Sequence, residues 1–386
     1  MPALLFLAGC TTTPTPETQQ PTLRYQPVAW QVLPGWSQDA LADAWPAWQM
    51  SCRALLKKDA NRAVWEAPCR AADAVDSGST EAIRTFFEDY FQPWQVLIED
   101  NGSVTDRGLI TGYYEPLLAG SRAPDARYRY PLYARPADLL TVELASLYPE
   151  LEGKRVRGRL VGNKVMPYFS RAEIDHGAAF TATPLYYVDD AMAAFFLHIQ
   201  GSGRLQLPDG AVVRLGYADQ NGHPYRAIGS VLVQRGEIDR DNLSMQTIKE
   251  WGRQHPDALP ALLDENPSYV FFREVLPPAP GSLDAKIDGP IGALGVPLLA
   301  QRSIAIDRLF LPLGAPFFLD AVDPNGGAPL QRLTMAQDTG GAIRGGIRAD
   351  FFCGTGKDAG EVAGRMKETG RLWLLWPKEA ALPKTR

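Results

Sequence analysis

The chain has 386 residues, of which 45% are hydrophobic and 22% charged, a globular composition with core material for two domains. A net charge of −5 with only 4 His lacks the basic footprint of a nucleic-acid partner. No run of about 18 apolar residues is present to cross a membrane as a helix.

Residues 1–10, MPALLFLAGC, are apolar and end in Leu7-Ala8-Gly9-Cys10. A Pro- and Thr-rich tether follows, so residues 1–22 read as a lipoprotein signal remnant and linker, with Cys10 the lipidated residue. The stretch before Cys10 carries no Lys or Arg and is short for a signal peptide, so the natural start is expected upstream. Cys52 and Cys69 lie in a segment that reads as helical. An exported protein meets oxidising conditions and can join them as a disulfide; the alternative is two buried thiols. Cys353 is left over, and without a CxxC pair or a His cluster no metal or cofactor is expected.

Residues 36–97 read mainly as helices, because ALADAWPAWQMSCRALLKK and EAIRTFFEDYF space apolar residues by 3 and 4. From about 108 to 235 the composition changes to short Val-, Ile-, Tyr- and Leu-rich runs broken by Gly, Pro, Asp and Asn. LITGYYEPLLAG, YPLYARP, AAFFLHIQGSGRLQLPDGAVVRLGY and AIGSVLV read as strands, and LPDGAVV carries the Asp-Gly signature of a tight hairpin. A helical interlude spans 243–264, and a loop-rich stretch, 276–292, reads as a domain junction. Strands return in SIAIDRLFLPLGAPFFLDA, LQRLTMAQDTGGAI and ADFF; a helix, KDAGEVAGRMKETG, and a strand, RLWLLW, close the chain.

The residues that could carry chemistry concentrate near the C-terminus. Asp350 lies in IRADFFCGTG. Aromatic neighbours packed around a carboxyl disfavour its charged form and raise its pKa toward that of a general acid. The plainer reading is a strand-end Asp capping a turn. Asp338 precedes Thr339-Gly340-Gly341 and either faces a ligand or bonds its own backbone as an Asx turn. Asp307 is a third acid in the same region. In LHIQGSGR, Gln200 and Ser202 suit hydrogen bonding to a sugar, or simply form a Gly-rich turn. ITGYYEP brings Thr111, Tyr113, Tyr114 and Glu115; tyrosines stack on sugars but also fill cores. No Gly-x-Ser-x-Gly elbow or Gly-Lys-Ser/Thr phosphate loop is present.

The segments ITGYYEP, YFSRAEID, HIQGSGR, NGHPYRAIG, NPSYVFF, GPIGALGVPL, RSIAIDR and AQDTGGAIRGGIRADFFCGTGKDAGEVAGRM occur in the order of one family and span roughly residues 108–376. The chain resembles the membrane-bound lytic murein transglycosylase A family. The resemblance implies a mainly β fold with α additions: a double-psi β-barrel domain, a smaller inserted β-rich domain, and a groove between them for a glycan strand. The divisions it implies are 23–115, a helical segment leading into the barrel; 116–267, the insert; and 268–386, the barrel with a three-aspartate module. Asp307, Asp338 and Asp350 stand where the acids of that module stand. The family's catalytic acid carries over to Asp350, and Thr111, Tyr114, Gln200, Ser202, Asp338 and Asp307 become substrate-binding candidates.

The implied reaction cleaves the β-1,4 bond between N-acetylmuramic acid and N-acetylglucosamine in peptidoglycan and leaves a 1,6-anhydro end. Ordinary glycosidases need two carboxylates, whereas here the substrate's own C6 hydroxyl is the nucleophile and one acid/base suffices. Two other readings remain: a hydrolase using Asp350 as acid and Asp338 as base, and a non-catalytic peptidoglycan-binding lipoprotein. The resemblance also implies an outer-membrane lipoprotein facing the periplasm, with peptidoglycan glycan strands as partner and cell-wall complexes as further company.

Overall fold

The computed structural model describes residues 21–151 and 156–384. Cys10 and its lipidation fall outside the described residues. The N-terminal segment contributes strand β1 (Thr22–Pro27), helices α1 (Trp45–Leu55), α2 (Asp59–Ala71) and α3 (Thr80–Tyr90), and strands β2 (Phe91–Asp100), β3 (Ser103–Thr105) and β4 (Gly108–Glu115). The helical spacing of Trp45, Trp48, Cys52 and Leu55 puts all four on the buried face of α1. A disulfide joins Cys52 to Cys69 and ties α1 to α2. Ser79 caps α3 by accepting from the Ala82 amide at 3.1 Å. The helical reading of 36–97 runs too far: from Phe91 the chain is extended and pairs with both β1 and the last strand of the chain.

The middle of the chain holds β5 (Leu117–Ser121), β6 (Tyr130–Tyr133), β7 (Leu140–Thr141), β8 (Arg157–Val161), β9 (Lys164–Pro167), β10 (Pro184–Val188), β11 (Gly203–Gln206), β12 (Val212–Gln220) and β13 (Val270–Val275). Helices α4 (Arg171–His176), α5 (Ala191–Gln200), α6 (Ile228–Gln234), α7 (Met245–Gln254) and α8 (Leu259–Asp264) lie among them. Six strands form one sheet in the order β13-β12-β11-β5-β10-β6. A bridge from Ala134, just after β6, to Phe272 of β13 draws its two ends together. The boundary expected at 267 falls early, because β13 belongs to this sheet through its pairing with β12.

Two stretches expected as strands are helices. Ala191–Gln200 is α5 and Ile228–Gln234 is α6. α5 is buried nearly all round, so its apolar run carries no 3.6-residue period, and a short apolar run does not by itself distinguish strand from helix. The decisive signals flank it. Asp190 accepts from the Ala193 amide at 2.6 Å, and Gly201 takes φ +76°, a left-handed stop that favours glycine. The hairpin at LPDGAVV forms between β11 and β12.

The C-terminal segment adds β14 (Ser303–Ile306), β15 (Pro316–Val322), β16 (Pro329–Asp338), β17 (Arg348–Thr355), helix α9 (Gly356–Arg365) and β18 (Lys367–Pro377). These five strands and β4 pair in the order β18-β15-β16-β14-β17-β4, and β4 pairs again with β18. The ring is therefore closed. Two of its pairs are parallel, β14 with β16 and β17 with β4. Leu372–Leu375 on β18 are fully buried against the helices and the barrel interior.

Candidate active site

The parallel pairing of β17 with β4 sets Asp350 opposite Thr111, and β14 sets Ala305 opposite both Asp350 and Asp338. Alternation along each strand then decides what shares the face. Arg348 and Phe352 flank Asp350 on its own side of β17, and Tyr113 accompanies Thr111 on β4. Phe352 packs with Tyr113 at a ring separation of 5.2 Å, in a small apolar cluster with Leu298, Ala305 and Ile343. Phe351 points the other way, into the main core. Of the two phenylalanines that follow Asp350, Phe352 is the one on the acid's side.

Asp350 is partly buried. Its Oδ1 accepts from the Thr111 hydroxyl at 2.5 Å, and the same hydroxyl oxygen accepts from Arg348 Nη2 at 2.8 Å. Burial pushes the Asp350 carboxyl up to about 6; the Thr111 bond and the Arg348 charge oppose this, and Asp338 adds to it. Asp338 is held differently. Its Oδ2 accepts from the Tyr113 phenol at 3.0 Å and its Oδ1 from the Ala293 amide at 2.9 Å. These bonds reach across the fold, unlike those of a local Asx turn. Burial raises the Tyr113 phenol well above its ordinary range, and the nearby carboxylates of Asp338 and Asp350 raise it further.

Other expected site residues stand apart. Asp307 is 2% exposed. Its oxygens accept from the amides of Leu309 at 3.1 Å and Gly345 at 3.0 Å. So enclosed, Asp307 cannot line a binding surface as expected; it anchors the loop between β16 and β17. Gly345, at φ +111°, gives that loop a conformation that glycine adopts readily. Tyr114 is 7% exposed and packs on Gly360 of α9, so it too is core and not lining. Its backbone amide donates to Gln200 Oε1 at 3.0 Å. Ser202, 8% exposed, is buried in the turn after α5. Gln200 thus orders the end of β4, while Thr111, Asp338 and Asp350 come together.

Arg348 was not among the expected site residues, and Tyr113 was noted only as part of its motif. The signal available for both was the two-residue alternation, since each lies two positions from an expected residue on the same strand. At the edge of the site, Glu115 accepts from Arg204 Nε at 2.8 Å, and Arg204 also pairs with Asp288 at 2.8 Å, tying β11 to the end of β4 and to the loop before β14.

Asp350, its carboxyl raised by burial, stands beside Asp338, whose two oxygens both accept hydrogen bonds, an arrangement suited to acid–base chemistry. Residues 109–273 match the MltA specific insert domain and residues 302–376 the 3D domain. The chain is 36% identical over 307 residues to membrane-bound lytic murein transglycosylase A of Escherichia coli K12, an alignment covering 77% of this chain and 72% of that protein. A crystal structure of membrane-bound lytic murein transglycosylase from Agrobacterium tumefaciens superposes with TM-score 0.80 at 33% identity, covering 92% of this chain and 98% of that one. E. coli MltA with bound chitohexaose superposes with TM-score 0.64 at 29% identity, covering 93% and 95%. The class is that of the lytic transglycosylases. The chain belongs to the membrane-bound lytic murein transglycosylase A family.

Proposed function

We propose that this protein is a peptidoglycan lytic transglycosylase in which Asp350 acts first as acid and then as base. The observation that carries the assignment is the contrast between the two acids: Asp350 has its carboxyl raised to about 6, whereas Asp338 accepts hydrogen bonds at both oxygens. Asp350 gives its proton to the glycosidic oxygen as the bond from muramic acid C1 to that oxygen breaks. The C6 hydroxyl oxygen bonds to C1, and its proton returns to Asp350. The products are a free N-acetylglucosamine 4-hydroxyl and a 1,6-anhydro-muramic end, with no water consumed. Asp338 organises the site through Tyr113 and supplies negative charge toward the oxocarbenium-like centre.

The ring of six strands with two parallel pairs supports a double-psi barrel, built from residues 23–115 and the segment after the insert. The insert's sheet supports a second domain from 116 to Val275, with the glycan strand lying in a groove between the two. The chitohexaose bound to the E. coli relative supports a glycan ligand. The name of the relatives supports membrane association, and Cys10 is the proposed outer-membrane lipid anchor, facing the enzyme to the periplasm.

Mass spectrometry of muropeptides released from purified sacculi tests the reading. The wild-type protein should release anhydro ends and Asp350→Asn none. Reducing muramic ends in place of anhydro ends would establish hydrolysis, and unchanged release by a folded Asp350→Asn protein would remove Asp350 from the chemistry.

A further inference from the structure

Arg348 presents only donors, since a guanidinium has five N–H groups and no acceptor. Nη1 donates to the carbonyls of Ala349 at 2.6 Å and Leu109 at 3.3 Å, which fixes the group to β17 and β4. Nη2 donates to Thr111 Oγ1 at 2.8 Å. The Thr111 hydroxyl must therefore use a lone pair toward Arg348 and aim its one proton elsewhere. The acceptor within reach is Asp350 Oδ1 at 2.5 Å. The direction of the chain is thus fixed by chemistry, from Arg348 to Thr111 to Asp350.

We infer that Arg348 is a positioning residue that, through Thr111, confines the catalytic proton of Asp350 to Oδ2. A proton on Oδ1 would confront the Thr111 proton, so the neutral acid keeps its hydrogen on the other oxygen. Among the described residues no group donates to Oδ2. The transferable proton therefore sits on the oxygen that is not already engaged. Arg348 also keeps a positive charge beside the carboxyl and limits how far burial raises it. The inference rests on the acid/base assignment of Asp350.

The charged and titratable groups on the face of Asp350 are Arg348 from β17, Tyr113 from β4 and Asp338 from β16; β14 presents Ala305, and Cys353 lies with Phe351 on the core side of β17. Arg348 is the cation of the set, so its loss moves the acid's titration in one direction, upward.

The test measures anhydro-muropeptide release against pH for the wild type and for Arg348→Gln, Thr111→Val and the double variant, with thermal melts to confirm folding. Arg348→Gln should lower kcat roughly tenfold, a fraction of what general-acid catalysis contributes, with KM for sacculi nearly unchanged. Its alkaline limb should shift upward by about half a pH unit or more. Thr111→Val should do the same, and the double variant should be no worse than the poorer single one, because both interrupt one chain. Arg348→Lys keeps the charge and should restore the limb more than kcat. A raised KM with unchanged kcat and limb, or fully additive losses, would overturn the inference. Asp350→Asn separates the two ideas: retained release removes the acid/base assignment itself, whereas lost release together with a wild-type profile for folded Arg348→Gln and Thr111→Val removes only the role of Arg348.

Discussion

Tyr113 holds Asp338 from β4, its phenol donating to Oδ2 at 3.0 Å while the Ala293 amide occupies Oδ1. An acid bound this way has both oxygens already engaged and holds its neighbours in place. Asp338→Asn and Tyr113→Phe should therefore behave alike, each slowing release roughly tenfold, equivalent to about 1.4 kcal/mol. Asp350→Asn should lose at least about a hundredfold, the scale of general acid–base catalysis. Steady-state rates on sacculi decide it; equal losses at Asp338 and Asp350 would favour a two-carboxylate mechanism.

The protonated form of Asp350 starts the reaction, and burial raises its carboxyl to about 6. Activity in kcat/KM should be full below that value and fall as pH rises through it. Stability follows the same sign. Because the folded-state pKa lies above the ordinary 3.8, the folded protein holds this proton more tightly, and that contribution is lost as pH rises between the two values. Asp350→Asn removes the buried charge, so it should melt higher than wild type at pH 8, with the difference vanishing near pH 3. Calorimetric melts at the two pH values provide the check.

Asp307 serves two backbone amides from a position 2% exposed. Asp307→Ala strands both donors. Hydrogen bonds to charged acceptors contribute about 1.5–3 kcal/mol, so a loss of roughly 2–3 kcal/mol is expected in urea melts. The Gly345 amide should lose its protection in hydrogen exchange, and activity should fall through disorder of the loop that leads into Asp350.

The Cys52–Cys69 bridge closes a loop with a sequence separation of 17 between two helices packed on the barrel. Chain-entropy arguments give roughly 3 kcal/mol for a loop of that length. Cys52→Ser with Cys69→Ser should lower Tm while leaving kcat unchanged, since neither cysteine approaches Asp350. A matching Tm drop of the wild type in reductant, absent from the double variant, would confirm the source.

Much of this fold could be read from local pattern. Trp45, Trp48, Cys52 and Leu55 announce α1 by spacing alone, and the Asp-Gly pair locates the β11–β12 hairpin. α5 escaped because a helix buried on nearly every side shows no amphipathic period; its identity lies in Asp190 and Gly201 at its ends. Asp350 was legible as an acid beside aromatics. The roles of Thr111, Arg348 and Tyr113 were not, because they depend on β4 lying parallel to β17, a pairing between segments more than two hundred residues apart. Asp307 misled for the reverse reason: proximity in sequence to the other acids said nothing of its enclosure.

β18 pairs with β15 on one side and β4 on the other, and Thr111 itself lies opposite Lys367. The strand that seals the ring therefore backs the threonine on the edge of β4 away from β17, whose parallel pairing sets Thr111 against Asp350. Thr111 is therefore held on both edges of β4, by Asp350's strand on one and Lys367's on the other, so the acid's donor sits in an interior strand with no free edge along which to slip.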